Sequence, residues 1–198
     1  MSTVANKKPH GLLIVLCGPS GVGKSTISHR LAERLNVVYT VSATTRPRLP
    51  KEDEGKKYDH ITEQEFFRRL DNDEFLEYAQ VHGEYYGTPK RPALDHLAAG
   101  RDVLLEIDVQ GALQIRYQYP NALLIFIEPP NKDTLLQRLT DRGRDEPEDI
   151  DKRFRIARRE VHMAKGSRAF DYMVTNDNLD RAVEDIVKIV QRERSGGI

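Results

Sequence analysis

Gly18, Pro19, Ser20, Gly21, Val22, Gly23, Lys24, Ser25 and Thr26 follow one another in a pattern suited to holding phosphate. Glycines let consecutive backbone N–H groups turn inward without a Cβ in the way, and a helix start adds unpaired donors and a favourable dipole end. The Lys24 ammonium would reach the terminal phosphates of a nucleotide, and the Ser25 hydroxyl would help to hold Mg²⁺. A glycine-rich turn carrying a solvent-facing lysine is the plainer reading. The flanks argue against it: the apolar run Leu12 to Cys17 reads as a buried strand and Ile27 to Leu35 as a helix, which is the context a phosphate-binding loop needs.

Two further groups of residues bear on chemistry. Glu106 and Asp108 lie at the end of the apolar run Val103 to Ile107, where a parallel sheet gathers its ligands. Asp108 there either faces a nucleotide or caps the helix that follows. Arg138, Arg142 and Arg153 bracket a charged break, while Arg46 lies in a separate polar interruption. Phosphoryl transfer needs two aligned substrates, cationic support for spread negative charge, and exclusion of water. These arginines have the right chemistry to neutralise transferring and acceptor phosphates, although any one of them alone reads first as solvated surface charge.

The elements that must position these residues alternate strand with helix. Val37 to Ser42 suggests a second strand, and Ala43 to Lys57 a loop or small excursion rich in proline and charge. Thr62 to Glu65 has capping-box spacing ahead of a short helix. Phe75 to Ala79 and Tyr85 to Thr88 read as strand and turn, followed by a helix from Pro89 to Leu97 that Gly100 stops. Beyond Asp108 come a helix over 109–119, a strand over 122–127, a helix over 132–139, the break Arg142 to Pro147, and a helix from Glu148. A last strand over 170–175 and a closing amphipathic helix over 179–192 complete the chain. This order predicts a three-layer α/β nucleotide kinase core.

Composition narrows the class. The 198 residues can bury one substantial core, and 31 acidic against 31 basic residues give a formal net charge of zero. That favours neither nucleic-acid wrapping nor adhesion to an anionic membrane, although arginines can still cluster locally. Cys17 is the only cysteine, which excludes an intrachain disulfide and a multi-cysteine zinc site, and the six histidines have no metal-ligand spacing. The polar start, Met1 to His10, and the lack of a membrane-length apolar run set cytoplasm as the expected location.

Taken together, the chain resembles guanylate kinases from about His10 to Gln191. The resemblance rests on the phosphate loop, Val41 to Arg46, Tyr85 to Thr88, Leu105 to Gly111, Arg142-Gly143 with Ile150 and Arg153, Phe170 to Tyr172, and Asn176-Asp177. It implies a phosphate-loop nucleoside monophosphate kinase core with a parallel sheet. The core occupies 1–38, 91–137 and 156–198, a GMP-binding insertion 39–90, and a mobile lid 138–155. It further implies that Ser42, Arg46, Tyr58 and Tyr86 contact the GMP phosphate. Glu77 and Thr88, assisted by Asp108, read guanine, and Asn176 lies near adenine. Guanine offers N1–H and an exocyclic amine as a donor pair for a carboxylate, with O6 accepting from a hydroxyl; adenine reverses that pattern. Glu106 would organise Mg²⁺ or arginines.

One departure stands out. The family usually carries Arg-x-Pro-Arg after the paired threonines, whereas Arg46-Pro47-Arg48-Leu49 lacks the extra residue, so strict register puts Leu49 where the second arginine belongs. Arg48 is the expected substitute. The resemblance implies reversible transfer from ATP-Mg to GMP, and to dGMP, by a monomer or weak homo-oligomer. A kinase for another small phosphate ester and a non-catalytic phosphopeptide-binding module are the competing readings. The intact Lys24, Ser25 and lid arginines weigh against the module.

Overall fold

A computed structural model describes residues 11–48, 58–141 and 147–196. Arg142 and Leu49 lie outside the described residues. Five strands form an all-parallel sheet: β1 (Leu13–Cys17), β2 (Val38–Tyr39), β7 (Val103–Ile107), β8 (Leu123–Glu128) and β9 (Tyr172–Thr175), in the order β2-β7-β1-β8-β9. A parallel sheet must be covered on both faces, which is why its strands are apolar almost throughout. Even-numbered residues of β1, Ile14 and Leu16, point into a cluster with α1 (Lys24–Leu35) and α7 (Leu179–Gly196). Odd-numbered ones, Leu13 and Val15, point the other way into a cluster with α3 (Lys90–Ala98), α4 (Val109–Gln118) and α6 (Pro147–Ser167). Helices on both faces make the expected three layers.

A second sheet of four strands, in the order β4-β3-β6-β5, carries β3 (Ser42–Thr44), β4 (Tyr58–His60), β5 (Phe75–Val81) and β6 (Glu84–Pro89). It has its own small core of Ala43, Phe66 and Phe75, covered by α2 (Glu63–Asp71). Thr62 caps α2 as its spacing predicts, its hydroxyl accepting from the Glu65 N–H at 3.1 Å.

The structure corrects one element. The run 37–42 is not a single strand: β2 pairs with β7 only as far as Tyr39↔Leu104, and β3 then joins the second sheet against β4 and β6. Thr40 ends the first pairing by turning both its N–H and its hydroxyl to the Leu104 carbonyl. The chain therefore changes sheets between positions 39 and 42, and that change brings Ser42 opposite the phosphate loop. Between β8 and β9, α5 (Lys132–Thr140) packs through Leu135 and Leu139 on Ala157 of α6, the helical lid region.

Candidate nucleotide site

The phosphate loop runs from the end of β1 into α1. Its geometry depends on Gly23, the N-cap residue, which has φ 98° and offers no side-chain cap. A side chain there would be strained, and its Cβ would lie 2.8 Å from the Asn176 amide nitrogen. Because nothing caps α1, its first N–H groups stay available for an anion. Lys24 folds over the loop, donating to the carbonyls of Gly18 and Pro19. The side-chain amide of Asn176, buried at the end of β9, donates to the Val22 carbonyl at 2.8 Å, and the Asn176 backbone carbonyl accepts from Arg138 at 3.0 Å. Arg138 and Asn176 thus stand behind the loop and brace it.

Facing the loop across one cavity are residues of the second sheet. Lys24, Ser25, Ser42, Tyr58, Glu77, Tyr86, Glu106 and Asp108 all line this cavity. Arg46, at its edge, lies over the Tyr58 ring at 5.5 Å, and Tyr58 meets Tyr86 edge-on at 5.6 Å. Arg48 is exposed on the same turn. Thr88 is fully buried behind Glu77, with its hydroxyl (2.6 Å) and N–H (3.2 Å) both donating to Glu77 Oε1. Arg153, on α6, is not among the cavity-lining residues.

Burial pushes the Glu77 carboxyl up to about 7, with the Asp108 charge adding to the rise and the Thr88 donors opposing it. Asp108 takes the helix-capping role and also lines the cavity. Its Oδ1 caps α4 by accepting from Gly111 N–H at 2.8 Å while the residue lines the cavity, and burial raises its carboxyl too. At the first turn of α1 the Ser25 hydroxyl donates to Glu106 Oε1 at 2.7 Å, and the Tyr39 hydroxyl donates to Glu106 Oε2 at 2.7 Å.

The family model described as guanylate kinase matches residues 10–193. The chain belongs to the guanylate kinase family. The guanylate kinase of Thermotoga maritima is 45% identical over 186 residues, 93% of this chain and 88% of that protein. That of Gloeobacter violaceus is 47% identical over 186 residues, 93% and 89% of the two chains. In three dimensions, the crystal structure of guanylate kinase from Anaplasma phagocytophilum aligns with a TM-score of 0.78 at 32% identity, covering 94% of this chain and 87% of that one. As a member of the guanylate kinase family the chain is an enzyme, a nucleotide-binding transferase of purine nucleotide metabolism with a parallel α/β core and a helical lid.

The guanylate kinase site also contains residues that the sequence did not point out. Glu160 of α6 lines the cavity together with Ser20 of the loop, and Glu160 Oε2 is buried without a hydrogen-bond partner. Burial, with the Asp108 charge adding and Lys24 opposing, pushes it up to about 7. Its signal in sequence is slight: Arg153, Ala157, Glu160 and Ala164 share a helix face, and one acid sits among small residues. Gly111, named above only within the run Leu105 to Gly111, also shapes the site, since a Cβ there would meet Glu77 Oε2 at 2.0 Å.

A magnesium ion suits the donors present. Among the described residues no group of three or more histidine, cysteine or acidic side chains is placed to hold a metal ion by itself. The Ser25 hydroxyl and Glu106 carboxylate would instead offer the one or two hard oxygens that Mg²⁺ takes from protein.

Proposed function

We propose that this enzyme transfers the γ-phosphoryl group of ATP reversibly to GMP, and to dGMP, giving ADP and GDP or dGDP. The observation that carries the reading is that one cavity joins the phosphate loop to a buried carboxylate, Glu77, on a separate sheet. The loop suits the donor and Glu77 the N1–H and amine of guanine. Adenine would face Glu77 with an acceptor at N1 and leave the buried acid unmatched. Tyr58, Tyr86, Ser42 and Arg46 line or edge the stretch between, where an acceptor phosphate would lie.

No protein nucleophile is needed, because an acceptor phosphate oxygen attacks in line. Lys24, Arg138, Arg142 and Arg153 are assigned to stabilising charge, and Asn176 to the adenine side as well as to bracing the loop. When bound, Mg²⁺ would be held by Ser25 and Glu106 and would neutralise phosphate charge. The insertion at 39–90 and the lid at 138–155 close over the substrates, which suppresses hydrolysis when GMP is absent. Arg48 takes the part of the family's second phosphate arginine. Arg48→Ala is expected to raise the KM for GMP about tenfold with little change for ATP, the loss of one charge-assisted contact. We further assign the protein to the cytoplasm as a monomer or weak homo-oligomer; among the described residues no helix is long and apolar enough to cross a membrane.

The test is ADP formation from ATP-Mg with GMP, dGMP, AMP, CMP, UMP or no acceptor. Stimulation confined to GMP and dGMP, with the matching diphosphate formed, is the expected result. Hydrolysis independent of acceptor would replace this reading with that of an ATPase, and turnover with another acceptor would reassign the base site.

A further inference from the structure

We propose that Tyr39 is a positioning residue for the magnesium–nucleotide site, holding one oxygen of Glu106 so that the other stays aimed at Ser25. This rests on the nucleotide reading above and concerns a residue to which that reading gives no part. Tyr39 ends the edge strand β2, paired in register with Leu104 of β7. Side chains two apart on a strand share a face, so Glu106 emerges on the same side as Leu104, the side covered by α1. Tyr39 lies against that cluster, and its ring meets His29 of α1 edge-on at 5.3 Å. The phenol is thereby wedged between helix and sheet with its hydroxyl reaching Glu106.

The consequence lies in how a carboxylate is oriented. The terminal torsion of a glutamate is broad, so one contact to Ser25 alone would leave the group free to swing. Here both oxygens are engaged: Oε2 accepts from Tyr39 and Oε1 from Ser25, each at 2.7 Å. The two bonds join three elements, β2, β7 and the first turn of α1, into one chain of contacts. Mg²⁺ demands near-ideal octahedral geometry, and outer partners that orient its ligands commonly change metal affinity by about 10–100-fold when removed. A phenyl ring would fill the same space without donating.

The experiment compares the unsubstituted protein with Tyr39→Phe, Glu106→Gln and the double variant. ADP affinity is measured by calorimetry in Mg²⁺ and in EDTA, and Mn²⁺ binding to the ADP complex by electron paramagnetic resonance. Tyr39→Phe should weaken Mn²⁺ binding and the metal-dependent part of ADP affinity about tenfold. ADP affinity in EDTA and GMP affinity should stay within about twofold, and adding the substitution to Glu106→Gln should have no further effect. Equal metal dependence in the unsubstituted protein and Tyr39→Phe, or equal losses with and without metal, would overturn the proposal. If the unsubstituted protein binds ADP no better with metal than without, the nucleotide reading fails and the proposal fails with it. If GMP and ADP bind normally and only the Tyr39→Phe difference is missing, the proposal alone fails.

Discussion

At the scale of single residues, the site depends on what is absent as much as on what is present. Glu77 can lie buried against α4 only because position 111 has no Cβ; a methyl there would sit 2.0 Å from its Oε2. Neither the carboxylate nor the helix backbone can yield cheaply, since Oε1 is held by two bonds from Thr88 and the helix start by Asp108. Gly111→Ala is therefore expected to tilt Glu77 off its place and raise the KM for GMP by about tenfold or more, as a mispaired buried polar group does. The KM for ATP should change by less than about twofold, since Lys24 and the loop are untouched. Initial-rate kinetics with each substrate varied would check the split. Cys17 needs no such role: fully buried at the end of β1, its thiol is pushed up by burial and it packs as a small apolar residue.

At the scale of elements, α6 reaches from the lid region to the phosphate loop and places Glu160 in the same cavity as Ser20. Burial raises the Glu160 carboxyl to about 7 from an ordinary 4.5, so the folded protein keeps a proton that the unfolded chain has already released. Stability from this group is thus fully present below the ordinary carboxylate value and is lost as pH rises through about 7. Glu77 and Asp108 act in the same direction. Glu160→Gln removes one of these three contributions, so its loss of stability between mildly acid and neutral pH should be smaller by up to about 3 kcal/mol. Urea unfolding of both proteins across that pH range would show it. A parallel slope in the variant would mean that Glu160 is already ionised at low pH.

At the scale of the whole molecule, two sheets with separate cores share one cavity. The smaller core is built on Phe66, fully buried and stacked on Phe75 at 4.7 Å. Phe66→Ala should cost about 3–5 kcal/mol, concentrated in the small sheet because its contacts are there. Hydrogen exchange should accelerate over 58–89 and GMP affinity should fall, while β1 and β8 stay protected and ADP affinity changes little. Uniform acceleration across both sheets would show instead that the cores unfold as one unit.

The order of elements and the phosphate-loop conformation were legible in the chain because both are local. Apolar runs and glycine spacing specify a strand, a phosphate loop and a helix within a few neighbouring residues. Glu77, Thr88 and Asp108 could be named through resemblance, but their arrangement could not. That Thr88 stands behind Glu77, and that Asp108 caps α4 while lining the cavity, are contacts between distant segments. The transfer of the chain from one sheet to the other between positions 39 and 42 was hidden for the same reason, since 37–42 reads as an unbroken run. Tyr39, Gly111 and Glu160 acquire meaning only from partners between 34 and 140 residues away: Glu106, Glu77 and Ser20. Composition and periodicity report which face of an element is buried. Which side chain meets which across that face is decided by tertiary packing alone.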